Sequence, residues 1–300
     1  MKEIDASIIL LTLNAGEKFR KLLKAVFKQT NNNFEIIIID SSSVDNTLEY
    51  AKRYPVKIFK IPHGDFGHGK TRNLGARLAK GRYVIYLSQD AIPYDNNWLS
   101  NLLANLKKDD VAGVFGKQIP NIIANPLDSY SYKEDYPDIK KNISIKNYKK
   151  NNVIFSNVNS AIKKSVILKY PYPENIPASE DLAWAIDIIK KNYKLVYEPS
   201  AAVIHSHKFS FINTIKLYFD QGVSYSQIYQ HENSTYLMHN SKRRFINKIK
   251  YLIKNYKYPW IFISLTIDAT KFLSETLGKN YRRLPVFLIK HFSSYPNYWV

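Results

Sequence analysis

The stretch Tyr83–Pro93 changes abruptly from apolar to polar, and this change constrains the fold more than any other feature of the chain. It opens with five apolar or aromatic residues in a row, which is typical of a strand buried on both faces. Ser88, Gln89 and Asp90 follow at once, and Pro93 prevents the strand from continuing. A carboxylate is therefore expected at the carboxyl end of a central strand, where open α/β sheets bind ligands. It suits a hard divalent cation bridging to phosphate oxygens, although it could instead cap the turn.

Apolar runs typical of strands alternate with amphipathic helices through the first 90 residues. Strands are predicted over 7–12, 34–39, 56–61 and 83–87. Asn14 is predicted to cap the first helix, which has the apolar stripe Phe19, Leu22, Leu23, Val26 and Phe27. Alternation at this spacing predicts βαβ units. The predicted fold class is therefore α/β, with a Rossmann-like, mostly parallel sheet flanked by helices.

Beyond Pro93 the periodicity weakens. An apolar stripe over 98–106 predicts another helix, and 111–116 predicts a strand. The segment 121–152 is rich in Asn, Tyr, Lys and Pro without clean periodicity, so it is predicted to form long loops over the sheet edge. Such loops could bind an acceptor or only connect elements.

Two of the predicted strands end in an aspartate, Asp40 and Asp90, at the same edge of the sheet. An edge with helix N-termini beside it suits a nucleotide, because amides and dipoles face phosphate while carboxylates bind base, ribose or metal. For Asp40 the alternative is a cap on the turn that follows it.

The segment 64–71 satisfies the phosphate-loop pattern GxxxxGK[ST]. Pro62 and His63 separate it from the preceding strand, and a complete strand, helix and nucleotide loop come before it, which argues against an NTPase. In either case Lys70, Arg72 and Asn73 are hydrogen-bond donors suited to a diphosphate.

Two later segments carry groups for acid–base or metal chemistry. Glu180 and Asp181 lie in the first turn of a predicted helix, where acids stabilise any helix. A carboxylate held there beside a cleft could also accept a proton from a hydroxyl nucleophile. His205 and His207 end a predicted strand on one face of it, and neutral imidazoles bind ions such as Mn²⁺. A pair of surface histidines is the alternative.

The chain carries a net charge of +19, which requires a polyanionic partner. Residues 211–300 hold 13 Lys or Arg against four acids. One predicted helical face there consists of Phe245, Ile249, Leu252, Ile253 and Tyr256. A basic amphipathic helix is typical of a membrane surface, and packing on protein is the alternative. The apolar run 260–267 is too short to span a bilayer.

Cysteine is absent, so the chain has no disulfide framework and no thiol nucleophile, which fits a reducing compartment. The first 14 residues lack a long apolar segment and a cleavage-site pattern. The chain is therefore predicted to stay in the cytoplasm.

The ordered motifs resemble those of a known family. They are TLN at 12–14, DSSSVDNT at 40–47, HGKTRNLGA at 68–76, YLSQDAIP at 86–93, SED at 179–181 and HSH at 205–207. Together they are similar to the successive motifs of family 2 glycosyltransferases with the GT-A fold. The HGxTRN and QDA versions resemble the bacterial rhamnosyltransferase-like branch, which builds O-antigen and other surface polysaccharides.

The resemblance implies an inverting transfer from a nucleotide diphosphate sugar to a hydroxyl of a lipid-linked or polysaccharide acceptor. Rhamnose, carried as dTDP-rhamnose, is one candidate sugar. A divalent cation, Mg²⁺ or Mn²⁺, is implied on the diphosphate. Asp40 would contact the base, Asp90 the metal, and Asp181 would be the general base with Glu180 beside it. His205, or else its neighbour two residues on, would be a further ligand.

The predicted donor-site residues are Thr12, Asn14, Asp40, Ser42, Lys70, Arg72, Asn73, Gln89 and Asp90. Lys70 and Arg72 are chosen for their charge. The chain departs from the family pattern in two places. The usual DxD is Ser88-Gln89-Asp90, and the usual DDGS is DSSS from Asp40.

The predicted domains are a catalytic domain over 1–210 and a basic, largely helical extension over 211–300 that contacts a membrane surface or a second subunit in a homodimer. The chain would lie at the inner face of the cell membrane. A P-loop NTPase or kinase is one alternative, and a basic nucleic-acid-binding protein is another. The second leaves the strand-end acids unexplained.

Overall fold

The structure is a computed structural model that describes residues 3–121, 124–148, 155–206, 210–229 and 235–299, with the side chains of 235–242 left out. The chain divides into two compact units. The described part of the first unit is 3–121, 135–148, 155–174 and 181–206. The described part of the second is 124–134, 175–180, 210–229 and 235–299.

The strands all belong to one sheet. They are β1 (Ala6–Thr12), β2 (Phe34–Asp40), β3 (Lys57–Lys60), β4 (Tyr83–Ser88), β5 (Ile92–Pro93), β6 (Val111–Ile119), β7 (Lys141–Ile143), β8 (Asn159–Lys163) and β9 (Lys194–Ile204). The α-helices are α1 (Gly16–Val26), α2 (Thr47–Ala51), α3 (His68–Leu78), α4 (Trp98–Ala104), α5 (Pro126–Asp135), α6 (Lys164–Lys169), α7 (Glu180–Lys190), α8 (Phe211–Ile228), α9 (Thr235–Lys254), α10 (Pro259–Lys279) and α11 (Val286–Phe292).

The sheet has the order β3-β2-β1-β4-β8-β6-β9-β5, and β7 also pairs with β9. The predicted parallel arrangement is confirmed for β3, β2, β1 and β4, which are joined by α1, α2 and α3. Beyond β4 the sheet is mixed, because β8 runs antiparallel to both β4 and β6 while β6 and β9 are parallel. The α/β class and the helices on the sheet are therefore confirmed.

The parallel strands form because their apolar runs are buried on both faces. Ile8, Ile37 and Ile85 on three neighbouring strands are all fully buried. The stripe predicted for the first helix is confirmed, since Phe19, Leu22, Leu23 and Val26 of α1 are the buried residues of that helix. Burial of this kind stabilises each large apolar side chain by about 1.5–3 kcal/mol.

The predicted helix cap at Asn14 is wrong. The residue before α1 is Ala15, which makes no side-chain cap bond, and Gly16 N at the helix start donates to Asp45 Oδ2 at 3.0 Å. Asn14 instead has a φ of 47° and accepts a hydrogen bond from Val44 N at 2.9 Å through its side-chain oxygen. Its amide is therefore used to join two loops.

The prediction of long loops over 121–152 also needs correction, because this segment contains α5 and β7. Asn125 Oδ1 accepts hydrogen bonds from Leu127 N and Asp128 N, both at 2.9 Å, and so caps the start of α5. The helix was missed because its apolar residues form only a weak stripe. The Asn-Pro-Leu-Asp sequence at its start was the signal that could have indicated it.

The second unit is helical, and two segments from before residue 210 belong to it. Leu127 of α5 is buried in one cluster with Leu252 and Ile267. The segment 175–180 is tied in by Ala178 N, which donates to Ser224 Oγ at 3.2 Å. This unit thus differs from the predicted 211–300 region, and the division into functional domains stays a prediction.

None of the described helices is both long enough and apolar enough to cross a membrane.

Candidate functional site

The carboxyl ends of β1, β2 and β4 lie side by side at one sheet edge. The register pairs Thr12 with Asp40 and Leu11 with Ser88. The carboxylate of Asp40 is fully buried and accepts hydrogen bonds from Thr12 Oγ1 at 2.8 Å, Ser43 Oγ at 2.6 Å and Ser43 N at 2.9 Å. Asp40 therefore closes the turn after β2, as its capping alternative described. A contact between Asp40 and a nucleotide base stays a prediction.

The loops after β1 and β2 brace each other. Asn14 N donates to Ser43 Oγ at 2.9 Å, which adds to the bond from Val44 N to the Asn14 side chain. Ser42 has a φ of 70°, and its hydroxyl donates to Ile61 O at 3.0 Å. Backbone in this left-handed region costs about 1–3 kcal/mol for a residue with a side chain, so the surrounding bonds hold it in place. These hydrogen bonds hold the loops after β1 and β2 in place without a ligand.

Gln89 connects the end of β4 to the end of β1. Its Oε1 accepts from Leu13 N at 2.8 Å, and its Nε2 donates to Leu13 O at 3.2 Å. A carboxylate at this position could accept the first bond but could not donate the second. Gln89, the middle residue of Ser88-Gln89-Asp90, thus holds two strands together. Its predicted contact with the donor is not tested by this geometry.

Asp90 and His205 face each other at this edge. The distance from Asp90 Oδ1 to His205 Nε2 is 3.5 Å. Lys18 Nζ, from α1, lies 3.7 Å from Asp90 Oδ2. The structure brings Asp90 and His205 together, although they are 115 positions apart in the sequence, and their role as metal ligands stays a prediction. His207 lies outside the described residues.

Gln118 on β6 determines which nitrogen of His205 can bind a cation. Gln118 Nε2 donates to Tyr136 OH at 2.6 Å and to Ser156 Oγ at 3.2 Å. Its Oε1 lies 2.9 Å from His205 Nδ1, so that nitrogen must carry the proton in this hydrogen bond. In the neutral imidazole the basic nitrogen is then Nε2, which faces Asp90.

This pair fits a divalent cation that also binds an oxygen-rich ligand. One carboxylate and one neutral imidazole are suitable donors for Mn²⁺, and a fixed tautomer is the usual support for a metal-binding histidine. Among the described residues no group of three or more His, Asp or Glu could hold a metal. Diphosphate oxygens and water would have to complete the coordination.

Helix α3 carries the predicted donor-site residues Lys70, Arg72 and Asn73, and a short segment connects it to β3. Lys70 Nζ is exposed and lies 3.9 Å from Asp65 Oδ1, and Arg72 Nη1 lies 3.4 Å from His68 Nδ1. Both cations lie on α3, which follows β3 in the chain. Their contact with a diphosphate stays a prediction.

Asn73 is hydrogen-bonded within the protein, and its predicted contact with the donor stays a prediction. It is buried, and its side chain donates to Tyr172 O at 2.9 Å and to Glu174 Oε1 at 2.8 Å while accepting from Tyr172 N at 2.9 Å. All of these bonds are internal to the first unit. The structure therefore makes Asn73 a residue that attaches α3 to the chain before α7.

Asp181 is held by two main-chain donors. Its Oδ2 accepts from Asn157 N at 3.0 Å, and its Oδ1 accepts from Leu182 N at 2.8 Å. The carbonyl oxygen of Val158, the residue after Asn157, accepts a hydrogen bond from Ser88 N at 3.0 Å. The segment 157–158 therefore connects Asp181 to β4, the strand that precedes Asp90. Glu180 is buried. The two acids thus differ in setting, and their chemical roles stay predictions.

The segment that matches the phosphate-loop pattern does not form a phosphate cradle. A Cβ on Gly69 would lie 2.1 Å from Pro173 O, so main chain already fills the space beside this helix start. Thr71 is buried, and its hydroxyl accepts from Gly67 N at 3.3 Å. The NTPase alternative gains no support here.

Three residues that contact this site were missed from the sequence. Lys18, Gln118 and Asn157 are far in the chain from the motif residues they touch. A lysine on a helix and an amide in a loop carry no recognisable motif. Only the position of Gln118, two residues beyond the strand predicted over 111–116, was available as a signal.

These observations define an α/β protein with a candidate nucleotide-diphosphate site at a sheet edge. The sequence profile of the family described as Glycosyl transferase family 2 matches residues 7–170. The chain is 34% identical over 300 residues to the O-antigen chain rhamnosyltransferase WbaN of Salmonella anatum, covering 98% of this chain and 95% of that protein. It is 32% identical to the O-antigen chain rhamnosyltransferase RfbN of Salmonella typhimurium, with the same coverage.

Solved structures show the same fold. Mannosyltransferase PcManGT from Pyrobaculum calidifontis, in complex with GDP-Man and Mn²⁺, matches 93% of this chain and 88% of its own at a TM-score of 0.63 and 14% identity. TarS 1–349 of S. aureus, in complex with UDP-GlcNAc, matches 96% and 84% at a TM-score of 0.58 and 13% identity.

The chain belongs to family 2 of the glycosyltransferases and is a glycosyltransferase with the GT-A fold. The family predicted from the ordered motifs is confirmed. The NTPase and nucleic-acid alternatives are not supported by any of these relatives.

Proposed function

We propose that this enzyme transfers a sugar, with inversion, from a nucleotide diphosphate sugar to a hydroxyl of a lipid-linked or polysaccharide acceptor in bacterial surface glycan synthesis. Two O-antigen rhamnosyltransferases align with it over nearly their full lengths, which supports rhamnose, carried as dTDP-rhamnose, as the sugar. The observation that carries the proposal is the 3.5 Å pair of Asp90 and His205 at the carboxyl edge of the sheet. A nucleoside diphosphate needs charge compensation at that edge.

Asp90 Oδ1 and His205 Nε2 would hold Mg²⁺ or Mn²⁺, and the cation would neutralise the charge that develops on the departing diphosphate. Gln118 keeps His205 in the tautomer that this requires. Lys18 adds positive charge beside Asp90, and Lys70 and Arg72 lie near the start of α3. Because the acidic motif is reduced to Asp90 in Ser88-Gln89-Asp90, these cations have fewer negative carboxylates to neutralise at the site.

Asp181 is proposed as the general base. Its carboxylate is oriented by Asn157 N and Leu182 N, and carboxylate oxygens have further lone pairs that can accept a hydroxyl proton. The acceptor oxygen would attack the anomeric carbon from the face opposite the diphosphate. A single displacement of this kind inverts that centre.

Lipid-linked acceptors lie at a membrane, so we place the enzyme in the cytoplasm at the inner face of the cell membrane. The positive charge of residues 211–300 supports contact with anionic lipid. A homodimer is the alternative use of this basic region.

The test is transfer from a panel of nucleotide sugars, with dTDP-rhamnose included, to a lipid-linked acceptor in the presence or absence of Mn²⁺. The unchanged chain should use one donor and require the cation. Asp90→Asn should bind that donor at least about 100-fold more weakly in Mn²⁺, because the loss of a ligand exceeds the 10–100-fold cost of losing a supporting residue. Asp109→Asn, an exposed acid of the same unit, is the matched control. Donor binding by Asp90→Asn at full affinity would reject the site.

A further inference from the structure

Helix α10 in the second unit buries small or hydroxyl-bearing side chains and exposes large apolar ones. Ser264, Ser274 and Gly278 are among its buried residues. On its outer side Phe262 is 75% exposed, Phe272 69% and Leu273 60%. A helix on a water-facing surface normally has the opposite distribution.

The buried side of α10 is small because it packs tightly on α8. A Cβ on Gly278 would lie 2.0 Å from Phe219 O, and a Cβ on Gly222 would lie 2.2 Å from Glu275 O. The two backbones therefore approach closely, and glycine is needed on both helices. This packing fixes which side of α10 faces outward.

The outer face is continuous and uncharged. It consists of Phe262, Leu265, Thr266, Ala269, Phe272, Leu273 and Thr276, all within the described residues and all exposed. These positions recur at helical spacing over about 21 Å. The two acids of the helix lie off this face, where Asp268 pairs with Lys248 and Glu275 pairs with Lys279.

Cations lie at both ends of this face. Lys254 and Lys257 precede α10, and Lys279, Arg282 and Arg283 end or follow it, all exposed. If two copies paired through this face, a parallel or an antiparallel arrangement would each place cations against cations, which disfavours a second copy. Anionic headgroups would instead meet both ends while acyl chains meet the phenylalanines.

We propose that the outer face of α10 binds an anionic lipid bilayer and lies at the boundary between headgroups and acyl chains. The bilayer surface is thus assigned to α10 and not to the stripe predicted on α9. Leu252 of that stripe is fully buried against Leu127 and Ile267, so part of it packs on protein. The proposal rests on the proposed function only in placing a lipid-linked acceptor at the same membrane.

The chain has no cysteine, so a single introduced cysteine can carry a polarity-sensitive fluorophore. The test variant is Phe272→Cys in the full-length protein. Ile212→Cys, at a 66% exposed apolar position on α8, is the matched control. The labelled proteins are mixed with vesicles of phosphatidylglycerol and phosphatidylcholine, or of phosphatidylcholine alone.

We expect the dye at position 272 to shift to shorter emission wavelength on the anionic vesicles only, with the dye at position 212 unchanged. An unlabelled Phe262→Ser and Phe272→Ser double variant should bind these vesicles at least about tenfold more weakly, because each exposed phenylalanine loses its transfer into the bilayer. Both positions are exposed, so folding should be retained and is checked by circular dichroism.

An unshifted dye at position 272 would overturn the proposal. So would a shift that needs no vesicles and grows with protein concentration, since that result identifies a second copy as the partner. The assay contains neither donor nor acceptor. Failure of membrane binding and failure of sugar transfer are therefore separate results.

Discussion

The sheet edge of the first unit and helix α10 of the second distribute apolar side chains in opposite ways. In β1, β2 and β4 large apolar residues such as Leu10 are fully buried, and polar groups gather where the strands end. In α10 hydroxyls and a glycine are buried while Phe262 and Phe272 are exposed. A strand-end site needs rigid polar groups around a water-filled opening. A helix that exposes phenylalanine is suited to a surrounding other than water.

The largest effect should come from the candidate base of the first unit. Asp181→Asn should lower the rate of sugar transfer at saturating donor by about 10²–10⁴-fold, because an amide cannot accept the acceptor's proton. Donor affinity should change little, since the amide oxygen can still accept from Asn157 N or Leu182 N. Single-turnover transfer and calorimetry with the nucleoside diphosphate measure the two effects.

Asp187→Asn is the control for Asp181→Asn. It lies on the same helix, where Asp187 pairs with Lys191 on the surface, and it should transfer sugar normally. Near-normal transfer by Asp181→Asn would reject the base. An equal loss of rate and donor binding would make this acid structural.

Three substitutions compare the inner and outer residues of the two units. Leu10→Ala should cost about 2–5 kcal/mol of unfolding free energy, because it leaves a cavity in the sheet core. Gly278→Ala should cost about 1–3 kcal/mol, because the added Cβ meets Phe219 O. Phe272→Ser should change stability by no more than about 0.5 kcal/mol, because that ring is exposed.

Urea unfolding followed by circular dichroism measures all three. A cost for Phe272→Ser as large as that for Leu10→Ala would show that the outer side of α10 is covered by protein. The contrast between the two regions would then disappear.

Gln118 tests whether the sheet edge is organised to bind a cation. Gln118→Leu removes the acceptor for His205 Nδ1 and should weaken Mn²⁺ binding in the presence of nucleoside diphosphate by about 10–100-fold. Gln118→Glu keeps an acceptor oxygen and should restore most of the affinity. Free Mn²⁺ is measured by electron paramagnetic resonance, which does not depend on turnover. Equal affinity in both variants would show that Gln118 does not position the histidine.

The smallest effects should be pH dependences of opposite sign. In the first unit burial opposes ionisation of Glu35, but hydrogen bonds from Lys57 and Ser7 outweigh burial and lower its pKa. In the second unit burial raises the pKa of Asp220, and hydrogen bonds from Ser293 only partly oppose this. The two carboxyl groups therefore favour opposite protonation states in the folded chain.

Glu35 contributes stability above its unfolded-state pKa of about 4.3 and loses it as pH falls through the lower folded-state pKa. The contribution of Asp220 is present below an unfolded-state pKa of about 3.9 and is lost as pH rises through the raised value. Relative to the unchanged chain, Glu35→Gln should lose stability and Asp220→Asn should gain it as pH rises toward 7. Thermal midpoints across this pH range check the signs. The same sign in both variants would contradict them.

The fold was predictable where burial alone determines structure. The strands that end near Asp40 and Asp90 could be predicted because their apolar residues are buried in the core. The apolar stripe of α1 could be predicted for the same reason. The sheet edge that carries the candidate site could be identified because the sequence changes from apolar to polar residues where each of these strands ends. The antiparallel β8 was not predictable, since its short run of five residues gives no sign of direction.

The parts of the site that were missed depend on contacts between distant segments. Gln118 meets His205 across 87 positions, and Asn157 meets Asp181 across 24. Asn73 was assigned to the donor because its amide suits a diphosphate, and Gln89 was among the predicted donor-site residues, yet both side chains are hydrogen-bonded within the protein. Residue type identified polar groups at the edge but could not show which of them are already bonded.

The cluster of Leu127, Leu252 and Ile267 has a consequence for synthesis on the ribosome. Leu127 is made 140 residues before Ile267. At about 5–20 residues per second, it waits on the order of ten seconds for its partner to be translated. The nascent chain therefore carries an exposed apolar segment through nearly half of its synthesis. This interval is when a chaperone has a reason to hold it, and a message cut short after residue 210 would leave the segment exposed permanently.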